Sequence, residues 1–381
     1  MRIGIDISWM QGPPSGTATY VAGLVEALVR LDTPHEFVLF SRSHRRDGMR
    51  DDEALPGVGL PRVSHVPVDA PLTNLRQQAT LPLAIRRARL DLYHSPAYFL
   101  PVALPLLWRG PTVLGVFDLN FLRLGENWQP GRRAQYVSLT LQVPLAARQA
   151  TRILTLSRAS ARDIARLLHL PPHKIAVIPA APRDLFHQAP DPASVEQARE
   201  RHGPFFLGVG VLAPQKNVAR IIEAFARADD GATRLVLAGR LAGDYAERVL
   251  RPLARRLGVA ARVVFAGAVD DETLRALYHA AVALVYPSLG EGFGLPIVEA
   301  MACGCPVVTS NISSMPDVAG DAALLVDPRD VAALCAALAR IRDDSSLRMD
   351  LARRGQDRAD LFTWDAVAHR TLDLYTMAGS D

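Results

Sequence analysis

Val282-Ala-Leu-Val-Tyr-Pro-Ser-Leu-Gly-Glu-Gly-Phe-Gly-Leu-Pro-Ile-Val-Glu-Ala-Met-Ala-Cys-Gly304 reads as a strand, a glycine-rich loop and a short helix in succession. The apolar, β-branched run Val282 to Tyr286 fits a buried strand. Glycines at 290, 292 and 294 permit positive φ and close approach of the backbone to a ligand. Pro296 fits the first position of a helix, where its missing N–H costs nothing, and Gly304 fits the helix stop. A further apolar run, Pro306 to Thr309, follows at once. Strand, helix and strand in this order are the repeating unit of a parallel sheet.

The same rhythm extends in both directions. Upstream, Ile3 to Ile7, Glu36 to Phe40, Val113 to Phe117, Arg152 to Leu156 and Lys174 to Ile178 look like strands, with amphipathic segments such as Tyr20 to Leu31 and Arg158 to Leu168 between them. A Pro- and charge-rich stretch, Pro179 to Pro204, interrupts the pattern and reads as a linker. The pattern then restarts with Phe205 to Val211, Arg234 to Ala238, Val263 to Ala266, Val282 to Tyr286, Pro306 to Thr309 and Ala323 to Val326, and closes with a helix, Trp364 to Met377. A chain of 381 residues is long for one core and predicts two domains. We expect an α/β protein of two doubly wound, Rossmann-like domains, 1–185 and 186–362, with a terminal helical segment, 363–381. Ligands of such sheets lie beyond the carboxyl ends of the strands, so two domains face to face would hold theirs in a central cleft.

Composition limits the function classes. Hydrophobic residues at 49% and charged residues at 22% describe a folded, soluble chain. The longest apolar runs fall short of the roughly 20 residues that span a bilayer, and Met1-Arg2 leads directly into a strand without the pattern of a signal peptide. A cytoplasmic protein is expected. Three cysteines, Cys303, Cys305 and Cys335, form neither a disulfide framework nor a zinc motif. A net charge of +4 without a binding motif gives no reason to expect nucleic acid. Arginines 86, 87, 89, 132, 133 and 148 flank apolar helical positions, which fits either a basic surface facing anionic lipid at the inner face of the membrane or ordinary solvated helix faces.

The candidate chemistry follows the strands. Glu291 lies in the glycine-rich loop and Glu299 in the helix after it, beside a helix N-terminus that suits a phosphate anion. One acid can reach a ribose diol and the other a sugar hydroxyl. Spacing alone is weak: 39 acids among 381 residues give about four such pairs by chance. A solvated loop acid and a dipole-complementing helix acid are the plain alternative. A second strand leads into Gly208-Val-Gly-Val-Leu-Ala-Pro-Gln-Lys-Asn217, and a third element, Gly12-Pro-Pro-Ser-Gly-Thr-Ala-Thr-Tyr20, opens a helix after the first strand. Asp118-Leu-Asn-Phe121 follows the strand ending at Phe117, and Ser157 and Arg158 follow another. No Asp-x-Asp occurs, which speaks against a divalent ion held by such a pair.

The 286–304 segment closely resembles glycosyltransferase family four, of GT-B fold, with its G-E-G-F-G-L-P-x-x-E-A-M-A-x-G signature. The likeness continues through Pro306-Val-Val-Thr-Ser-Asn-Ile-Ser-Ser-Met-Pro-Asp-Val-Ala-Gly-Asp-Ala-Ala-Leu-Leu-Val-Asp-Pro328. The resemblance implies that Glu299 binds the nucleotide ribose, that Glu291 contacts the donor sugar, and that the backbone of Phe293, Gly294 and Leu295 meets sugar and phosphates. Lys216 matches the lysine of the family's G-x-L-x-P-x-K-N stretch and would stabilise the diphosphate as leaving group. Relatives often carry an arginine nearby; Val211 and Gln215 occupy those positions here, and Arg240 is the candidate replacement. Val269 falls where the family's backbone contacts the base. Gly16 matches its phosphate loop, with Ala18 in place of a second glycine and Thr17 between them as a further donor-binding candidate, and Asp118 matches its H-D-L-x-F segment with Phe117 in place of histidine.

The resemblance further implies an N-terminal acceptor domain, a C-terminal donor domain and a last helix packing back on the first. The implied reaction moves a hexose from a GDP- or UDP-sugar, GDP-mannose among them, to a saccharide or lipid-linked acceptor in cell-surface polysaccharide synthesis. It would retain anomeric configuration by a front-face route and need no metal or other cofactor. The departures at Phe117, Ala18 and Gln215 suggest the alternative, a nucleotide-sugar-binding protein without transfer.

Overall fold

The computed structural model describes residues 1–11, 15–42, 56–68, 75–124, 133–241 and 243–380. They divide into two compact units: Met1–Leu119 with Val137–Ala181 and Thr363–Asp381, and Asn120–Tyr136 with Pro182–Phe362. Residues 182–185, expected in the first domain, group with the second, as do the described residues 120–124 and 133–136.

The described part of the first unit holds seven strands: β1 (Arg2–Asp6), β2 (Glu36–Arg42), β3 (Val63–Val68), β4 (Leu92–Ser95), β5 (Thr112–Gly115), β6 (Arg152–Thr155) and β7 (Ile175–Val177). All pair in parallel, in the order β3-β2-β1-β4-β5-β6-β7. Two strands escaped the sequence reading. In β3 the apolar rhythm is broken by His65 and by Pro67, a residue tolerated because the strand lies at the sheet edge. In β4 only four residues are extended, and His94 and Ser95 among them are polar yet buried.

Helix Gly16–Arg30 starts earlier than expected, because the Ser15 hydroxyl accepts the Ala18 N–H at 3.2 Å and caps it. Its buried Tyr20, Leu24 and Leu28 join Ile3, Ile5, Leu92 and Val113 in the core. The terminal helix, Trp364–Ser380, belongs to this same core. The Trp364 ring occupies the space beside Gly23, where a Cβ would lie 2.3 Å from it. Tyr375 shares a buried hydrogen bond of 2.6 Å with His94 Nδ1, and burial drives the His94 pKa down to about 3, so the ring is neutral. Tyr375→Phe leaves that nitrogen unsatisfied and is expected to cost about 1–3 kcal/mol, read as an earlier midpoint in urea unfolding.

The second unit holds β8 (Phe205–Val209), β9 (Arg234–Ala238), β10 (Val263–Gly267), β11 (Ala283–Tyr286), β12 (Val307–Ser310) and β13 (Leu324–Val326), all parallel, in the order β10-β9-β8-β11-β12-β13. Leu235, Leu237 and Val285 on the sheet pack with Ile221, Ile222 and Phe225 of helix Val218–Arg227 and with Leu334, Leu338 and Ile341 of helix Val331–Asp343. The stretch read as a linker contains a helix, Pro192–His202, whose N-cap Asp191 accepts from Ala193 and Ser194 N–H. Both sheets are doubly wound, and in each the strand order reverses once, between β1 and β4 and between β8 and β11. In open α/β sheets that reversal opens a crevice at the carboxyl ends of the strands. No described helix is long and apolar enough to cross a membrane.

Candidate functional site

The loops leaving β8 and β11 meet at the reversal point of the second sheet. Ala283 and Leu284 register with Phe206 and Leu207. Beyond the strands the loops are stitched by Leu289 N–H to Gln215 O at 2.9 Å and by the Gln215 amide to Gly290 O at 2.6 Å. Gln215, at the position where the resemblance leads one to expect an arginine, thus ties the two loops together. The stitching brings Lys216 Nζ to 2.7 Å from Glu291 Oε1. The ammonium also donates to the Tyr286 hydroxyl and lies 4.8 Å from the centre of that ring. Burial opposes its charge, but Glu291 and Tyr286 outweigh that and hold the lysine above its ordinary pKa. The ammonium is therefore a fixed positive charge.

Of the three loop glycines, only Gly294 has positive φ, at +109°. It caps helix Leu295–Ala302, so Pro296 is the second helical residue and not the first. Gly290 answers a different need: a Cβ there would lie 2.5 Å from Asn120 Oδ1. The helix ends at Gly304, whose φ of +67° accompanies bonds from Gly304 N–H to Met301 O and from Cys305 N–H to Ala300 O. Two serines that sequence reading left without a role hold the loop. Ser313 Oγ accepts Glu291 N–H at 3.1 Å and donates to Glu291 O at 3.0 Å, and Ser314 Oγ donates to Phe293 O at 2.8 Å.

Glu299 is 5% exposed. Its carboxylate accepts from the Tyr278 hydroxyl at 3.3 Å, and Arg183 Nη2 stands 3.8 Å away. Burial pushes its pKa up to about 7 against the pull of Arg183 and Tyr278. Arg183 is pinned in turn by Asp271 and by the Phe186 ring, 4.9 Å from its guanidinium carbon. Sequence reasoning missed Arg183, which sits in the stretch taken for a linker, and gave no role to Tyr278, which lies in a helix away from the motif loops.

The remaining candidates divide by unit. Arg240 is exposed on the loop after β9, its carbonyl accepting from Leu212 N–H at 2.9 Å. Val269 is half-buried, just before Asp270, the cap of helix Asp271–Ala280. Both belong to the second unit with Lys216, Glu291, Phe293, Gly294, Leu295 and Glu299. Gly16, Thr17 and Asp118 belong to the first unit, with Gly16 exposed and Thr17 half-buried at the start of their helix. Gly12, Pro13 and Pro14 of that loop lie outside the described residues. Asp118 N–H donates to the Tyr98 hydroxyl at 3.1 Å. Phe117 is buried edge-on between Tyr20 and Tyr98, with ring centroids 4.8 and 5.6 Å away. Ser157 caps helix Arg158–Leu168, accepting from Ser160 N–H at 3.1 Å. Arg86, Arg87, Arg89 and Arg148 are exposed, while Arg132 lies outside the described residues.

Comparison with known proteins gives a consistent result. A model of group 1 glycosyl transferases matches residues 193–358, and one of glycosyltransferase family 4 matches residues 14–181. The O-antigen chain mannosyltransferase B of Escherichia coli is 32% identical over 77% of this chain and 76% of its own. The D-inositol 3-phosphate glycosyltransferase of Acidothermus cellulolyticus is 30% identical over 96% of this chain and 86% of its own. Among solved structures, HepE of Anabaena in complex with UDP and glucose superposes with a TM-score of 0.76 at 18% identity, covering 99% of this chain and 100% of that one.

Proposed function

The chain belongs to the group 1 and family 4 glycosyltransferases, and on that premise we propose that it moves a hexose, mannose foremost, from a nucleoside diphosphate sugar to a saccharide or lipid-linked acceptor in polysaccharide synthesis. The observation that carries the donor reading is the under-satisfied carboxylate of Glu299. A buried carboxylate can accept about four hydrogen bonds, yet here one hydroxyl at 3.3 Å and one guanidinium at 3.8 Å are its neighbours. A ribose diol supplies two well-placed O–H donors. Lys216 then meets the diphosphate, the N–H groups at Gly294 and Leu295 add the positive end of a helix, and Glu291 orients a sugar hydroxyl. The name of the Escherichia coli relative supports a mannosyl donor, and hence GDP-mannose.

The acceptor is assigned to the first unit, with Asp118 orienting it. The donor anomeric carbon leaves the diphosphate and takes the acceptor oxygen on the same face, so the configuration is retained, and a diphosphate oxygen receives the acceptor proton. Lys216 supplies the charge that a divalent ion supplies in other transferases, so transfer should persist in EDTA.

Thermal unfolding with GDP, UDP, ADP and GDP-mannose tests the donor. The true nucleotide at 100 times its dissociation constant adds about 2.7 kcal/mol. Stabilisation by none of them removes the donor site. Stabilisation without transfer or donor hydrolysis across a broad acceptor panel would instead favour a binding protein.

A further inference from the structure

We propose that Glu291 makes the donor site select a sugar-bearing nucleotide over a bare nucleoside diphosphate, by competing with the diphosphate for Lys216 whenever no sugar hydroxyl occupies its carboxylate. The inference rests on the donor reading above and gives the same carboxylate a second task. Specificity is a difference of affinities, and it can be built by leaving a charge unpaired in the complex to be rejected.

Two groups with different tasks on one ligand, Lys216 for the diphosphate and Glu291 for a sugar hydroxyl, are paired with each other in the structure. The ammonium donates to Glu291 Oε1 at 2.7 Å, and both side chains are mostly buried. Water therefore screens the pair poorly and is slow to replace a lost partner. The Tyr286 hydroxyl accepts a second ammonium N–H, so Lys216 keeps a neutral partner when Glu291 turns away. The Glu291 backbone is tethered at both polar groups: its N–H donates to Ser313 Oγ at 3.1 Å, and its carbonyl accepts from the same hydroxyl at 3.0 Å. An exchange of partners thus falls to the carboxylate and not to the loop.

The two ligands differ in what they offer the displaced carboxylate. A sugar nucleotide brings hydroxyls, and one O–H donated to Glu291 stands in for the ammonium it gives up. A bare diphosphate brings no such donor. It leaves a mostly buried carboxylate without its partner and adds further negative charge beside it. Once transfer has removed the sugar, the carboxylate returns to Lys216 and the diphosphate is released. Spent nucleotide is thereby kept from occupying the site against fresh donor.

Calorimetric titration of the full chain, wild type and Glu291→Gln, with GDP and GDP-mannose and with UDP and UDP-glucose tests the competition. Glutamine keeps the size of the side chain and removes its charge. Wild type is expected to bind the sugar nucleotide more tightly than the matching diphosphate. Glu291→Gln should bind the bare diphosphate about tenfold or more tightly than wild type does, because a like-charge contact has been removed, while its affinity for the sugar nucleotide changes less. Should the variant fail to fold, the wild-type comparison decides by itself. Bare diphosphate bound no more tightly by Glu291→Gln, or bound by wild type as tightly as its sugar nucleotide, overturns the proposal and leaves the donor site standing. Failure of all four ligands to bind either protein removes the donor site and this inference with it.

Discussion

Lys216→Ala is expected to lower the turnover number for transfer by about a hundred- to a thousandfold, the scale on which one preorganised charge-stabilising donor acts. Negative charge grows on the diphosphate as its bond to the sugar lengthens, so the loss should fall on kcat more than on the donor KM. The effect reaches the free enzyme as well. Lys216 and Glu291 are only 20% and 13% exposed, so removing the cation leaves a half-buried carboxylate without its partner and should lower stability by a few kcal/mol. Pre-steady-state transfer at saturating donor separates the two consequences. A single-turnover rate within tenfold of wild type would remove Lys216 from the leaving-group role.

The donor affinity is expected to rise with pH through about 7, the value to which burial lifts Glu299. Only the ionised carboxylate accepts both hydroxyls of a diol, so donor KM should fall as the proton leaves. The same shift bears on stability with the opposite sign. A carboxyl whose folded pKa lies above its ordinary 4.5 adds no penalty below that pH. It costs on the order of 3 kcal/mol once the pH has passed both values. Arg183 pulls that pKa downward, so Arg183→Met should move the donor KM profile to higher pH, while Glu299→Gln should flatten it. A wild-type donor KM that is flat across neutral pH would separate Glu299 from the ribose.

The helix–loop segment from Tyr286 to Gly304 was legible because its determinants are local: an apolar run, glycines and a proline read in register along one stretch. Even there, the glycines at 290 and 294 turned out to serve different ends, a close approach by Asn120 and a positive φ. The pairing of Lys216 with Glu291 was not legible, since it depends on β8 and β11 being neighbours although 75 residues separate the two side chains. Arg183 was hidden for a related reason. Prolines and charges in 179–204 imitate a linker, and only the fold returns that arginine to Glu299. β3 and β4 were missed because an edge strand tolerates Pro67 and because burial of His94 depends on Tyr375, 281 residues away.

That last contact has a bearing on synthesis. The first unit is closed by Trp364–Ser380, so when the ribosome has made Ala181 the unit still lacks a core helix, and the Gly23 and His94 sites stand open. The second unit's main segment, Pro182–Phe362, is complete before that helix emerges. The usual order of co-translational folding, N-terminal unit first, is therefore expected to reverse in this chain. Released chains truncated after residue 362 should bind nucleotide while their amino-terminal unit remains open to protease.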